Sequence, residues 1–234
     1  MGKKIGIMQP YFLPYMGYWQ LINYVDEFVL YDNIKYTKKG WINRNRFLQN
    51  GADALFSLPL KADSDSLDVT DRFLAADFDR EKLLRQFREA YKKAPHFEEN
   101  FPLIEEIVKC AEQNLFDYIE NSVTLICDYL DIKTKIVISS DIEINHEALK
   151  AEDKVVALCH ALDGDEYINP IGGLELYDKT FFTKAGLELS FLRARRNDYP
   201  QFGPDFIPHL SILDVLMFSS RDQVKYYLNE FDLQ

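Results

Sequence analysis

Apolar positions in the first 31 residues fall into two compact runs, at 3–8 (KKIGIM) and 27–31 (EFVLY). Between them lie a Pro-bracketed aromatic loop and an amphipathic stretch. The pattern predicts strand, loop, helix and second strand, the unit that builds parallel sheets and presents ligands at the carboxyl ends of its strands. Residues 41–48 then alternate in character and meet Asn50-Gly51, a two-residue hairpin signal, with a return strand expected at 55–60. Residues 61–72 are polar and acidic and read as a loop or mobile lid. Helical periodicity follows at 79–93, 97–113 and 115–129, with Leu83, Leu84, Phe87 and Tyr91 forming the first stripe. The α/β alternation resumes with a strand at 135–139, a helix at 151–162 and a strand at 166–169. A Gly172-Gly173 turn, a helix at 177–185 and a strand at 187–193 come next. A loop rich in Pro, Tyr and Phe then leads to a last helical region, where Ser211 and Asp214 fit an N-cap with an acidic first turn.

Five apolar strands, most of them alternating with helices, imply the α/β class: a Rossmann-like, mainly parallel sheet with helices on both faces. The hairpin is expected to add an antiparallel edge. Residues 73–131 are expected to form a helical insertion or cap within one α/β domain spanning 1–234.

Composition narrows the function classes. A formal net charge of −11 argues against nonspecific nucleic-acid binding and against attachment to an anionic membrane. Against that background Lys35, Lys38, Lys39, Arg44 and Arg46 make a local basic cluster, open to two readings: a phosphate-binding patch or a solvated loop. Cys110, Cys127 and Cys159 have neither disulfide nor metal-ligand spacing and read as core residues in a reducing compartment. No apolar run approaches the roughly 18 to 20 residues that span a bilayer, and no leader is visible, so a cytoplasmic location is expected.

Candidate chemistry collects at strand ends. Gln9, Tyr11, Tyr15 and Tyr18 follow the first strand, where Pro10 and Pro14 stiffen the loop and Gly17 allows close approach. On the alternating strand Arg44 and Arg46 share one face, a geometry suited to two oxygens of one phosphate. Trp41 and Asn43 lie on the other. Asp32 ends the second strand, either meeting a substrate amine or hydroxyl or capping a turn. Asn169 with Gly172 and Gly173 repeats the strand-end pattern later in the chain. Arg193, Arg195 and Arg196 with Tyr199 and Gln201 form a second basic-aromatic segment. His209, beside Pro208, is a candidate acid or base. None of the four histidines sits in metal spacing, and no organic-cofactor motif is present.

Four runs resemble the WbqC-like family over nearly the whole chain. They are Gln9-Pro10-Tyr11-Phe12 through Gly17-Tyr18, Lys39-Gly40-Trp41-Ile42-Asn43-Arg44-Asn45-Arg46, Asn169-Pro170-Ile171-Gly172-Gly173 with Leu176-Tyr177, and residues 210–216. Members of that family are often associated with genes for cell-surface polysaccharide synthesis. The resemblance implies attachment of an amino acid such as glycine to an amino sugar carried on a nucleotide. More distantly, the first unit looks like the opening of nucleotidyltransferases with a His-x-Gly-His signature. Tyr15 and Tyr18 stand at the matching positions, and a tyrosine carries no positive charge near neutrality.

The leading expectation is a transferase that binds a phosphorylated or nucleotide-linked small molecule and moves an acyl or aminoacyl group in surface-glycan assembly. Arg44 and Arg46 would bind phosphate, Asn43 and Asn169 would orient substrate, and Tyr11 and Trp41 would stack. Asp32 and His209 would handle protons. A nucleotidyltransferase or ATP-dependent ligase using ATP and magnesium is the first alternative. A noncatalytic nucleotide-sugar-binding protein is the second.

Overall fold

The computed structural model describes residues 2–64 and 66–234. β1 (Lys4–Met8), α1 (Met16–Tyr24) and β2 (Glu27–Leu30) form the expected opening unit. A hairpin of β3 (Arg44–Gln49) and β4 (Ala52–Ser57) follows, then α2 (Arg80–Tyr91), α3 (Phe97–Lys109) and α4 (Leu115–Tyr129). β5 (Lys135–Ile138), α5 (Ala151–Ala161), β6 (Glu166–Pro170), α6 (Lys179–Lys184) and β7 (Glu188–Ala194) come next. The chain closes with α7 (Ile212–Phe218), α8 (Arg221–Tyr227) and β8 (Phe231–Leu233).

The main sheet runs β5-β2-β1-β6-β7-β8, parallel throughout except for β8 against β7. Its strands are apolar on both faces because both are covered. Phe28, Leu30, Ile168 and Leu192 face a large core shared with α1, the hairpin, α2–α4, α7 and α8. Ile5, Ile7, Val29, Tyr167 and Phe191 face a smaller core built with α5 and α6. This is a Rossmann-like α/β arrangement. Cys127 and Cys159 are buried, and burial pushes each thiol up to about 12, leaving unreactive packing groups. No helix of the described residues is long and apolar enough to cross a membrane.

Several details differ from the sequence pattern. The hairpin makes a two-stranded sheet of its own, and the antiparallel edge of the main sheet is β8. Asn50 and Gly51 take φ of 54° and 77°, the left-handed pair of a two-residue turn. That turn starts β4 at Ala52, three residues before hydropathy alone placed it. α3 stops at Lys109, short of 113, because the Gln113 carbonyl accepts from the Leu74 amide at 2.8 Å and holds the chain extended there. The last helical region is two helices, the second restarted by a Ser220 cap on the Gln223 amide. The 61–72 segment, of which Asp65 lies outside the described residues, is strapped down by a buried Arg72. Its guanidinium donates to the Ser64 carbonyl at 2.9 Å and stacks on Tyr36.

Candidate functional site

From β1 the chain moves to β2 and β5 on one side, while β6 and β7 lie on the other, so the strand order reverses between β1 and β6. At such a switch point the loops diverge and leave a crevice at the carboxyl ends of the strands. A cleft of about 580 Å³ lies there. Tyr11, Pro14, Tyr15 and Gly17 enter it from the loop after β1 and the start of α1. Ile171 comes from the end of β6, Leu192, Arg193 and Ala194 from β7. The hairpin region adds Trp41, Asn45 and Arg46, and His209 closes the wall from the segment before α7.

Three distant segments are knit together around one carbonyl. Leu13 is buried with φ of 46°, an unusual conformation for a bulky residue, and its oxygen accepts from Asn45 Nδ2 at 2.8 Å and Ser211 Oγ at 2.7 Å. The Phe12 amide donates to the Ile42 carbonyl, the Ser211 amide to Arg46 and the Ile212 amide to Pro14, all within 2.9 Å. Ser211 therefore caps α7 through the Leu213 amide and ties that helix to the β1 loop. His209 has φ of 59°, backbone strain of about 1–3 kcal/mol that such sites characteristically hold.

Tyr15 lies over Gly17. A Cβ there would sit 2.5 Å from the ring, so the glycine makes room for this tyrosine. Tyr15 and His209 meet edge to face at 6.3 Å between centroids. Neither the Tyr15 hydroxyl nor the His209 ring has a hydrogen-bond partner among the described residues. Burial raises the Tyr15 and Tyr11 hydroxyls above their ordinary value, so both remain neutral donors. Trp41, 41% exposed, has the guanidinium carbons of Arg44 and Arg46 at 5.6 and 5.5 Å from its ring. Arg46 also pairs with Asp53 at 3.3 Å, while its Nε is buried without a partner among the described residues. The outer guanidinium nitrogens of Arg46 are the part of the side chain that stays exposed at the cleft.

The predicted residues divide. Tyr11, Tyr15, Trp41, Arg46 and His209 share the cleft. Gln9, Arg44 and Asn169 do not line it. Gln9 supports the wall: its Oε1 accepts from Tyr11 and its carbonyl from Tyr18. Arg44 donates to the carbonyls of Gly40 and Lys39, so the expected two-arginine clamp has one guanidinium held by backbone. Tyr18 is 1% exposed, and its hydroxyl bonds inward. Asn43 is buried, accepting from Tyr36 at 2.9 Å and donating to the Leu58 carbonyl at 2.8 Å, and so pins the hairpin root. Asn169 is buried over Gly173, whose missing side chain leaves room for its amide; Gly172 is exposed. Asp32, 1% exposed, accepts from Ser139 Oγ at 2.7 Å and the Ser140 amide at 3.0 Å, capping the turn after β5.

The sequence marks Asn45 only as one of the polar groups of the 39–46 run, with no role of its own, and gives Ile171, Leu192 and Ala194 no place in the site. Arg193 was read only as part of a basic segment. Asn45 carries the polar mark of the 39–46 run, and the other three carry none. Asp214 is more than a first-turn acid. It is fully buried, accepting from Tyr91 at 2.9 Å and from Tyr199 and Gln201 at 2.7 Å. Burial raises its pKa, with the three donors pulling the other way. Through them the 199–201 segment is fastened to α7 and α2. Among the described residues no three His, Cys, Asp or Glu side chains converge closely enough to hold a metal ion.

Two comparisons bear on identity. The model of the WbqC-like protein family matches residues 9–226. Uncharacterized protein Rv1507c of Mycobacterium tuberculosis is 29% identical over 217 residues, which make up 92% of this chain and 93% of that protein.

Proposed function

The chain belongs to the WbqC-like protein family, and from that premise we propose a transferase that binds a phosphorylated or nucleotide-linked sugar in the β1–β6 cleft. It transfers an acyl or aminoacyl group to the sugar, glycyl being one candidate, in cell-surface polysaccharide biosynthesis. One observation carries this reading: aromatic faces and guanidinium groups converge at the switch point of a parallel sheet, where such folds hold phosphorylated ligands. Arg46 and Arg193 bind phosphate oxygens through their exposed guanidinium nitrogens. Trp41 and Tyr11 stack on the base or sugar. His209 takes the proton from the attacking amine as its nitrogen bonds to the acyl carbon. The Tyr15 hydroxyl donates to the carbonyl oxygen as it gains charge, and the leaving group departs with its electron pair.

The adenylyl-transfer alternative fits less well, because the Tyr18 hydroxyl is turned toward Gln9 and away from any phosphate. The test is calorimetry with nucleotide sugars on wild type, Arg46→Ala and Trp41→Ala, followed by mass spectrometry of the sugar with an activated acyl donor. Binding weakened at least tenfold in both variants, with a sugar heavier by the acyl group, is expected. Absence of binding for every nucleotide sugar at millimolar concentration overturns the reading. Stabilisation by ATP and magnesium alone favours the ligase alternative, and binding without a product favours a noncatalytic role.

A further inference from the structure

A second, smaller lobe of about 240 Å³ adjoins the cleft and shares Tyr15, Gly17, Ala194 and His209 with it. Its deeper wall is apolar: Met16, Phe206, Leu210 and Val215, with the rings of Tyr199 and Tyr227. The polar atoms around it are mostly engaged elsewhere. Tyr199 gives its hydroxyl to Asp214 at 2.7 Å. At the rim Arg195 is held by Asp232 and Glu230, and Arg196 by Asp198. The Tyr15 hydroxyl and the His209 ring, without hydrogen-bond partners among the described residues, stand at the junction of the two lobes.

Resting on the proposed function, we infer that this lobe is the subsite for the hydrocarbon part of the transferred group, an aliphatic or aromatic acyl chain larger than glycyl, with its carbonyl end at Tyr15 and His209. Size and polarity both argue for it. An engineered apolar cavity of about 150 Å³ holds benzene, so about 240 Å³ suits a ring with a short linker or a chain of about six carbons. The ammonium of a glycyl group would lose its water among Met16, Val215 and Leu210, whose apolar side chains cannot replace it. A hydrocarbon loses nothing there and gains by leaving water. The arrangement also places the Tyr15 hydroxyl and the His209 ring, neither of them hydrogen-bonded among the described residues, at the junction beside the carbonyl, where the donor and the proton acceptor are needed.

The experiment measures straight-chain carboxylates, acetate to decanoate, by saturation-transfer NMR against the full chain. Affinity is expected to rise about fourfold per methylene to about six carbons and then to level or fall. Met16→Trp fills the lobe and should abolish the rise, while uridine or thymidine diphosphate binding stays within twofold. Phe206→Ala enlarges the lobe and should move the optimum to longer chains. A flat profile from acetate upward, a rise unbroken to decanoate, or a profile unchanged in both variants overturns the inference. Chain-length selectivity without any nucleotide binding would remove the proposed function yet leave the subsite. Nucleotide binding with flat carboxylate affinities would do the reverse.

Discussion

Tyr15 and His209 face each other at 6.3 Å across the junction of the two lobes, although one comes from the loop after the first strand and the other from the approach to α7. Their proximity is imposed by backbone: Tyr15 and Ser211 form an isolated antiparallel bridge, and the Ile212 amide bonds to the Pro14 carbonyl. A phenol hydroxyl and an imidazole ring are thereby set edge to face, with no hydrogen bond between them.

The seat of Tyr15 can be tested at Gly17. Gly17→Ala puts a methyl group 2.5 Å from the ring and forces it aside. The turnover measured with a nucleotide sugar and acyl donor should fall by roughly 10- to 100-fold. Alanine favours the helix over glycine by about 1 kcal/mol, so the melting temperature should hold or rise. Full activity in this variant would show that the Tyr15 position does not matter.

Asn45 and Ser211 both donate to the Leu13 carbonyl, so their contributions should not add. Asn45→Ala and Ser211→Ala each remove a buried hydrogen bond, at a cost of about 1–3 kcal/mol by denaturant unfolding. Ser211→Ala also removes a helix cap. The double variant is expected to differ from the sum of the singles by about 0.5 kcal/mol or more. Strict additivity would mean the two donors do not act on a common element.

Asp32 is expected to behave as a structural cap. Asp32→Ala leaves the Ser140 amide without its acceptor and the Ser139 hydroxyl with only Asn33 Oδ1, costing about 1–3 kcal/mol of stability. Nucleotide-sugar affinity should stay within twofold when measured well below the melting temperature. Lost affinity with unchanged stability would return Asp32 to the list of substrate ligands.

The raised pKa of Asp214 fixes the sign of a pH effect. Its ordinary value is 3.8, and burial lifts it in the folded chain. Above 3.8 the unfolded state ionises first, so the favourable contribution is full below that pH and is lost as pH rises through the folded value. The stability of wild type minus that of Asp214→Asn should therefore be greatest below pH 3.8, fall as pH rises through the folded value, and then level off. A difference that grows with pH would mean that the donors from Tyr91, Tyr199 and Gln201 outweigh the burial.

Much of this was legible in the chain before folding. Apolar runs located the strands of the main sheet because both its faces are covered, and alternation located the hairpin because one of its faces is exposed. Asn50-Gly51 fixed the hairpin because few residues accept a left-handed pair of turn angles. Ser211 read correctly as a cap because a helix start leaves its first amides without partners. β8 escaped because three residues, Phe231–Leu233, carry no periodicity and exist as a strand only through pairing with β7.

Local sequence, then, determined the elements, their parallel grammar and the fact that an aromatic, Pro-stiffened loop lies at a strand end. Tertiary structure alone decided which groups face the cleft. Arg44 and Arg46 have the same type and strand phase, yet Arg44 turns to the carbonyls of Gly40 and Lys39 while Arg46 pairs with Asp53 and lines the cleft. Asp32 and Asp214 were likewise assigned by partners far along the chain, Ser139 for the first and Tyr91 for the second. The physical reason is that a polar side chain takes its role from whichever acceptor or donor the packed chain brings within about 3 Å, and that neighbour is seldom adjacent in sequence.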